Sequence, residues 1–142
     1  MADLVRPDDL KRISNDADMA KAQEYLKRAK KQEEEQKSLR EAFLDRDLHP
    51  EVRERVNAAV RRAAEQGSHE LQVITFPASY CNDGGRRINN AEPDWADSLE
   101  GFAKRAHAFY VKELQPLGYK LRVEILDYPG GMPGNVGMFL RW

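Results

Sequence analysis

The sequence of 142 residues lacks the features of exported, disulfide-stabilised or membrane-embedded chains. It has one cysteine, Cys81, so no disulfide can form within the chain. Its first twenty residues contain no apolar run that is long enough for a signal peptide or a membrane span. These absences favour a reducing compartment, and we expect a cytoplasmic protein that does not bind a membrane.

The sequence also has no large excess of positive or negative charge. The sequence contains 23 Lys and Arg residues against 24 Asp and Glu residues, which gives a formal net charge of -1. Such a balance supplies no long-range attraction for polyanions. The pairs Arg61–Arg62, Arg86–Arg87 and Lys104–Arg105 have acidic neighbours and form no extended basic stripe, so nucleic acid is not expected as a partner.

Aromatic residues are scarce in the first half of the chain. Only Tyr25 and Phe43, of twelve Phe, Tyr and Trp residues, precede Gly67, so the packed core is predicted in the C-terminal half. The first 67 residues carry 15 acidic and 15 basic side chains. The segment of about 16–46 lacks glycine and proline and is rich in good helix formers, which predicts a long helix.

A weakly apolar stripe, here called the seam, runs along one face of this predicted helix. Residues spaced three and four apart form a coiled-coil rhythm that two glutamines interrupt, and they are Ala22, Tyr25, Ala29, Gln32, Gln36, Leu39 and Phe43. Three alternatives stay open: the arm packs on its own chain, pairs with another subunit, or frays in solvent. A charged arm with little core is costly to order alone, so we expect a protein partner or self-association through it.

A second helix is predicted at about 50–66, because Pro50 suits a first helical turn and Gly67 suits the residue that ends a helix. Residues 1–67 are therefore interpreted as a helical arm that contains both helices. Residues 68–142 are interpreted as a compact α+β domain.

The C-terminal half reads as a β-α-β-β unit. Leu71–Phe76 is apolar on both faces and predicts a buried central strand, and Trp95–Leu117 has helical spacing with Asp94 as its N-cap. Tyr119–Ile125 alternates between apolar and charged residues, and Met138–Trp142 predicts a last strand. A strand, a helix and a strand favour a parallel pair, so the fold class is α+β with a three-stranded mixed sheet.

The connection at 77–93 reads PASYCNDGGRRINNAEP and has no periodicity. Loops of this length are often functional, and this one joins the end of a predicted strand to the start of a predicted helix. Glycine amides and guanidinium groups can bind an anion there. We expect such a turn to use Asp83, Gly84, Gly85, Arg86 and Arg87, and the alternative is a surface turn with two solvated arginines.

The second irregular segment is the Gly/Pro turn at 128–137, from which Met132 and Asn135 would join the anion site if the two loops meet. A catalytic interpretation takes Cys81 as a nucleophile with His107, His69 or His49 as the base, of which His107 is the candidate we name, although no histidine is adjacent to the thiol in sequence. The alternative is a packed thiol and a half-exposed imidazole. No Cys and His pair has metal-ligand spacing, and neither a metal nor a cofactor is expected.

The leading interpretation is a non-enzymatic module that binds a protein or a ligand, and the alternative is a small enzyme or anion binder that uses the 77–93 loop. The runs LQVITFPASYCNDGGRRINN and LDYPGGMPGNVG resemble segments of small bacterial proteins that have no assigned function. This resemblance covers Leu71–Trp142. It implies no activity, cofactor or catalytic residue.

Overall fold

The computed structural model describes residues 3–142. The chain divides into two units, of which the first ends at Glu41 and the second runs from Ala42 to Trp142. In the first unit, every residue from position 3 onward is exposed. Within the described part of the chain, no helix combines the length and the apolar character that crossing a bilayer requires.

Helix α1 runs from Pro7 to Asp45 and has no buried residue. It begins well before the predicted start at about 16, because Pro7 fits a first helical turn and the acids Asp8 and Asp9 favour the positive end of the helix dipole. Its last turn belongs to the second unit, where Phe43 packs against the rings of Phe76 and Tyr80 at centroid distances of 5.3 and 5.0 Å. The last position of the predicted seam is therefore half-buried and packs against the core.

The second unit contains the sheet and the remaining helices. Its elements follow in the order α2 (Val52–Glu65), β1 (Glu70–Pro77), α3 (Arg86–Asn89), α4 (Gly101–Phe109), β2 (Lys120–Ile125) and β3 (Asn135–Arg141). Gly67 follows the end of α2 by two residues and has a φ of 84°, so it is the left-handed residue that was predicted to end the helix. The Ser68 amide donates to the Ala63 carbonyl, and the Gly67 amide donates to the Ala64 carbonyl, which is the Schellman pattern.

The long helix predicted over 95–117 is wrong in its bounds. A 3-10 turn covers Trp95–Ser98, and Asp94 makes no capping hydrogen bond through its side chain. Glu100 is extended and Gly101, the first residue of α4, has a φ of 57°, so the chain changes direction where α4 begins. After Phe109 the helix widens into a π-helical turn, Tyr110–Leu114, and ends in a 3-10 turn, Gln115–Leu117.

The described residues form one antiparallel sheet of three strands in the order β1-β3-β2, so the predicted mixed sheet is wrong. Strand β3 is the most buried strand and lies between the other two, whereas β1, predicted as the central strand, lies at an edge. The crossover through α4 therefore passes over β3. Strands β1 and β2 run in the same direction but do not pair.

A β-bulge adapts β1 to this core. Leu71 pairs with Leu140 and Ile74 pairs with Met138, and the register shifts between Gln72 and Ile74. Residues three apart in a regular strand point to opposite faces. The extra residue in the bulge lets Leu71 and Ile74 both face the core side of the sheet, and it leaves Val73 41% exposed.

The core of the second unit consists of two clusters. The larger one includes Phe76, Leu99 and Met138, and the smaller one joins Val60, Tyr110 and Leu140. Half-buried Leu121 packs against both clusters.

Candidate functional site

An apolar cavity of about 140 Å³ lies between α2, α4 and the core face of the sheet. Its walls come from every layer of the second unit, and six representative side chains are Val52, Val56, Ile74, Phe102, Met138 and Leu140. Several of these are only half-buried although they face the interior. The two core clusters therefore leave space between them instead of meeting.

The cavity wall offers almost no polar chemistry. Among the described residues that line the cavity, Tyr110 is the only one whose side chain carries a hydroxyl or other hydrogen-bonding N or O group. Its hydroxyl donates to the Tyr119 carbonyl over 2.8 Å. A guest in this space would therefore be held by burial of apolar surface rather than by hydrogen bonds to the wall.

Two departures from regular backbone flank the cavity. Val73, the residue of the β-bulge, lines one side, and Tyr110 and Leu114 from the π-helical turn line another. Bulges redirect side chains and are frequent beside binding sites, and π-helical turns are enriched at functional sites. Their meeting at one cavity is what makes this space a candidate site.

An open groove of about 320 Å³ adjoins the cavity. Both spaces are lined by the same five residues, which are Leu48, Val52, Val56, Val73 and Phe102. The groove differs from the cavity in having Arg46, His49 and Arg55 along its wall. It therefore forms a polar mouth to an apolar interior.

The predicted anion-binding turn at 83–87 is occupied by its own chain. The Asp83 carboxylate accepts the Gly85 amide at 2.9 Å and the Arg87 amide at 3.0 Å. The Gly84 amide donates to the Cys81 carbonyl, and the Arg86 amide donates to the Asp83 carbonyl. An external anion would have to displace the Asp83 carboxylate from these amides.

The two arginines of this turn also have acidic partners. Arg86 Nη1 lies 3.3 Å from a carboxylate oxygen of Glu92, and Arg87 Nε lies 3.6 Å from one of Asp94. Arg87 also lies 3.9 Å from Asp83. Their positive charge is therefore partly neutralised within the loop.

The two irregular loops do meet. The Ala78 amide donates to the Gly134 carbonyl over 2.7 Å, and the Tyr128 hydroxyl donates to Asn89 Oδ1 over 2.7 Å. They meet because Pro77, at the end of β1, pairs with Asn135, at the start of β3. The Asn135 amide donates to the Asp127 carboxylate, while the Met132 side chain is exposed.

The Cys81 thiol lies inside the larger core cluster and is only 4% exposed. Burial raises the pKa of this thiol to about 11, and the neighbouring Ser98 side chain offsets only part of that rise. A thiol with this pKa is almost entirely protonated at neutral pH, whereas nucleophilic attack requires the thiolate.

His107 lies in α4 and packs edge-on against Trp95 at a centroid distance of 5.3 Å. Burial lowers its pKa from the usual histidine value, and the nearby Asp97 charge opposes that change. No hydrogen bond joins His107 to Cys81 among the residues that the structure describes. Over residues 3–142, no three His, Cys, Asp or Glu side chains cluster as metal ligands would.

Sequence reasoning missed the cavity, although two signals for it were available. The stripe of Val52, Val56 and Val60 along α2 consists of short side chains, which reach less far toward a facing element than leucine or phenylalanine would. The odd spacing of Leu71 and Ile74 is the second signal, because both face the core only if the strand bulges.

Comparisons with protein-family models, with curated proteins and with solved structures find no match to this chain. A functional proposal therefore depends on the geometry of the site alone.

Proposed function

We propose that this protein is a ligand-binding module that takes a small apolar molecule, or the apolar part of one, into the cavity beneath α2. The observation that carries this proposal is an apolar space of about 140 Å³ inside a domain of ordinary size. A dry cavity of about 150 Å³ with similar walls is large enough to bind benzene. The expected guest is therefore one aromatic ring or a short alkyl chain.

Space left between core side chains removes van der Waals contacts that close packing would provide. A guest that fills the space of about 140 Å³ would restore such contacts. Ala106 lines the cavity, and a larger side chain there would fill much of it. The small alanine side chain at this position therefore keeps the space available to a guest.

Access to the cavity involves α2. This helix buries Val60 and Ala63 toward its C-terminal end, whereas Val52 and Val56 toward its N-terminal end are half-buried. Its N-terminal half is therefore the more loosely packed half, and we propose that a ligand enters there. Loosely packed elements are the ones that open locally at low cost in free energy.

The test is a titration with benzene, followed by the methyl NMR signals of the cavity wall and by calorimetry. We expect saturable binding at one site, with shifts concentrated at methyl groups of Val52, Val56 and Ile74. The Ala106→Leu variant should lose binding while keeping or gaining thermal stability, because it fills the space.

The matched control is Ala64→Leu, which adds the same side chain to an exposed position of α2. It should bind benzene like the original chain. If Ala106→Leu fails to fold, Val56→Phe tests the same space from the opposite wall. Unchanged benzene binding in a folded cavity-filling variant would contradict the proposal.

A second candidate function is self-association through α1. One face of the helix contains the apolar residues Met19, Ala22, Tyr25, Leu26 and Ala29, spaced by three and four. Met19, Tyr25 and Leu26 are 62%, 73% and 66% exposed. Large apolar side chains clustered on an exposed helix face are typical of a surface that another helix covers.

The 77–93 loop supports an anion site or a cysteine enzyme less well. Asp83 already accepts hydrogen bonds from the amides that an anion would use, and the Cys81 thiol is buried with a raised pKa. Both uses require the loop to rearrange before a guest can reach it. A cavity that is already formed requires less rearrangement.

A further inference from the structure

The groove beside the cavity brings together two surfaces of different chemistry. Its inner wall is the apolar set that it shares with the cavity, including Val52, Val56 and Phe102. Its outer wall contains Arg46, His49 and Arg55. Within the described part of the chain, no aspartate or glutamate lines it.

The two arginines of the groove differ from their neighbours in lacking acidic partners. Arg53, two residues before Arg55 on α2, lies 2.7 Å from a carboxylate oxygen of Glu113, and Arg105 lies 3.4 Å from one of Asp47. Among residues 3–142, neither Arg46 nor Arg55 lies within 4.0 Å of a carboxylate oxygen. Their charges are therefore available to a ligand.

Arg46 is held at the boundary between the two surfaces. Its guanidinium carbon lies 4.4 Å from the centroid of the Phe102 ring, and that ring lines both the groove and the cavity. Its carbonyl accepts a hydrogen bond from Arg105 Nη1 at 2.7 Å. Ring stacking and a fixed backbone reduce the freedom that this arginine would lose on binding an anion.

His49 adds a further donor. Its Nδ1 accepts the Glu51 amide at 3.0 Å, which assigns the proton of the neutral ring to Nε2. A guanidinium fork matches a carboxylate with two parallel hydrogen bonds. The groove therefore has the chemistry of a carboxylate site at the mouth of an apolar cavity.

We infer that the ligand is a small amphipathic carboxylate, whose apolar body fills the cavity and whose head group binds Arg46 and Arg55. This inference rests on the proposed function, because it needs the cavity to accept the apolar body. The volume of about 140 Å³ limits that body to about one six-membered ring or a chain of similar size. The opening to the groove leaves the carboxylate outside the apolar interior, where it keeps partial hydration.

The experiment compares hexanoate with 1-hexanol by calorimetry at low salt, using the full chain. We expect hexanoate to bind about tenfold tighter or more, and we expect this advantage to shrink as salt rises. Arg46→Gln and Arg55→Gln should each weaken hexanoate binding by about tenfold and leave hexanol binding unchanged.

The matched control is Arg53→Gln, which removes an arginine from the same helix that already pairs with Glu113. It should leave the preference for hexanoate intact. Equal binding of hexanol and hexanoate, or hexanoate binding that survives both groove variants, would overturn the carboxylate inference while leaving the cavity proposal standing. Failure of hexanoate, hexanol and benzene alike to bind would overturn both.

Discussion

At the scale of single residues, Asp83 accounts for much of the geometry of the 77–93 loop. Its two carboxylate oxygens accept the Gly85 and Arg87 amides at the start of the short helix α3. The sequence predicted an anion-binding turn from these residues. It could not show that the carboxylate bound by the amides is that of Asp83 in the same turn. That distinction depends on side-chain direction, which spacing alone does not determine.

Replacing Asp83 should therefore destabilise the fold. Asp83→Ala removes the acceptor for two amides, and we expect the free energy of unfolding to fall by about 1–2 kcal/mol in urea titrations. Arg86→Ala removes only an exposed pair with Glu92 and should cost less than about 1 kcal/mol. Equal losses in the two variants would contradict this role for Asp83.

Cys81 makes the fold sensitive to alkaline pH. Folding raises the thiol pKa from 9.0 to about 11, so the folded state favours the neutral thiol. The stability that this provides is complete below about pH 9 and is lost as the pH rises through about 11. The shift corresponds to about 3 kcal/mol at most.

Urea unfolding at several pH values between 8 and 11 measures this effect. The original chain should lose about 2–3 kcal/mol more than Cys81→Ala over that range, because the variant lacks only the thiol and keeps every other ionisable group. Parallel pH profiles for the two proteins would show that the thiol is not shielded as the structure indicates.

At the scale of elements, the end of α1 and the start of α4 approach each other closely at Gly101. A Cβ atom at this position would lie 2.6 Å from the Leu44 carbonyl oxygen. The backbone there also has a φ of 57°, which side chains other than glycine rarely adopt. Arg105 strengthens the same junction by donating to the Leu44 carbonyl over 2.9 Å.

Gly101→Ala should therefore cost about 3 kcal/mol or more, from the left-handed backbone and from overlap with Leu44. Gly67→Ala is the matched control, because Gly67 has a φ of 84° and open space where a Cβ would lie. It should cost only about 1–2 kcal/mol in thermal or urea unfolding. Equal costs would mean that the close approach does not constrain the fold.

Local patterns predicted the existence of most elements but not their arrangement. The apolar stripe of α2, the alternation in β2 and the position of Gly67 all follow from short-range rules. The central position of β3 depends on which of the three strands buries the most apolar surface. That comparison involves the whole sheet and cannot be made from the sequence of one strand. The volume of the cavity depends on how α2 lies over the sheet, so the valine stripe and the spacing of Leu71 and Ile74 indicate its place but not its size.

At the scale of the whole molecule, the second candidate function predicts self-association. A second copy would cover the exposed apolar face that includes Tyr25 and Leu26. Sedimentation equilibrium should then show a mass above that of one chain, and Leu26→Lys should shift the protein toward monomer. Ser38→Lys adds the same charge elsewhere on the exposed helix and should change the mass little.

A strict monomer at concentrations of about 100 µM would contradict self-association through α1, since stable interfaces between copies hold at lower concentrations. It would leave the cavity proposal untouched, because the cavity lies entirely within the second unit.

The most direct test of the central claim is a crystal structure of the full chain under xenon pressure. We expect one well-occupied xenon atom between α2 and the core face of the sheet, in contact with Val56 and Leu140, and we expect its loss in Ala106→Leu. A collapsed space between the two core clusters, with no xenon in it, would show that the protein has no such cavity.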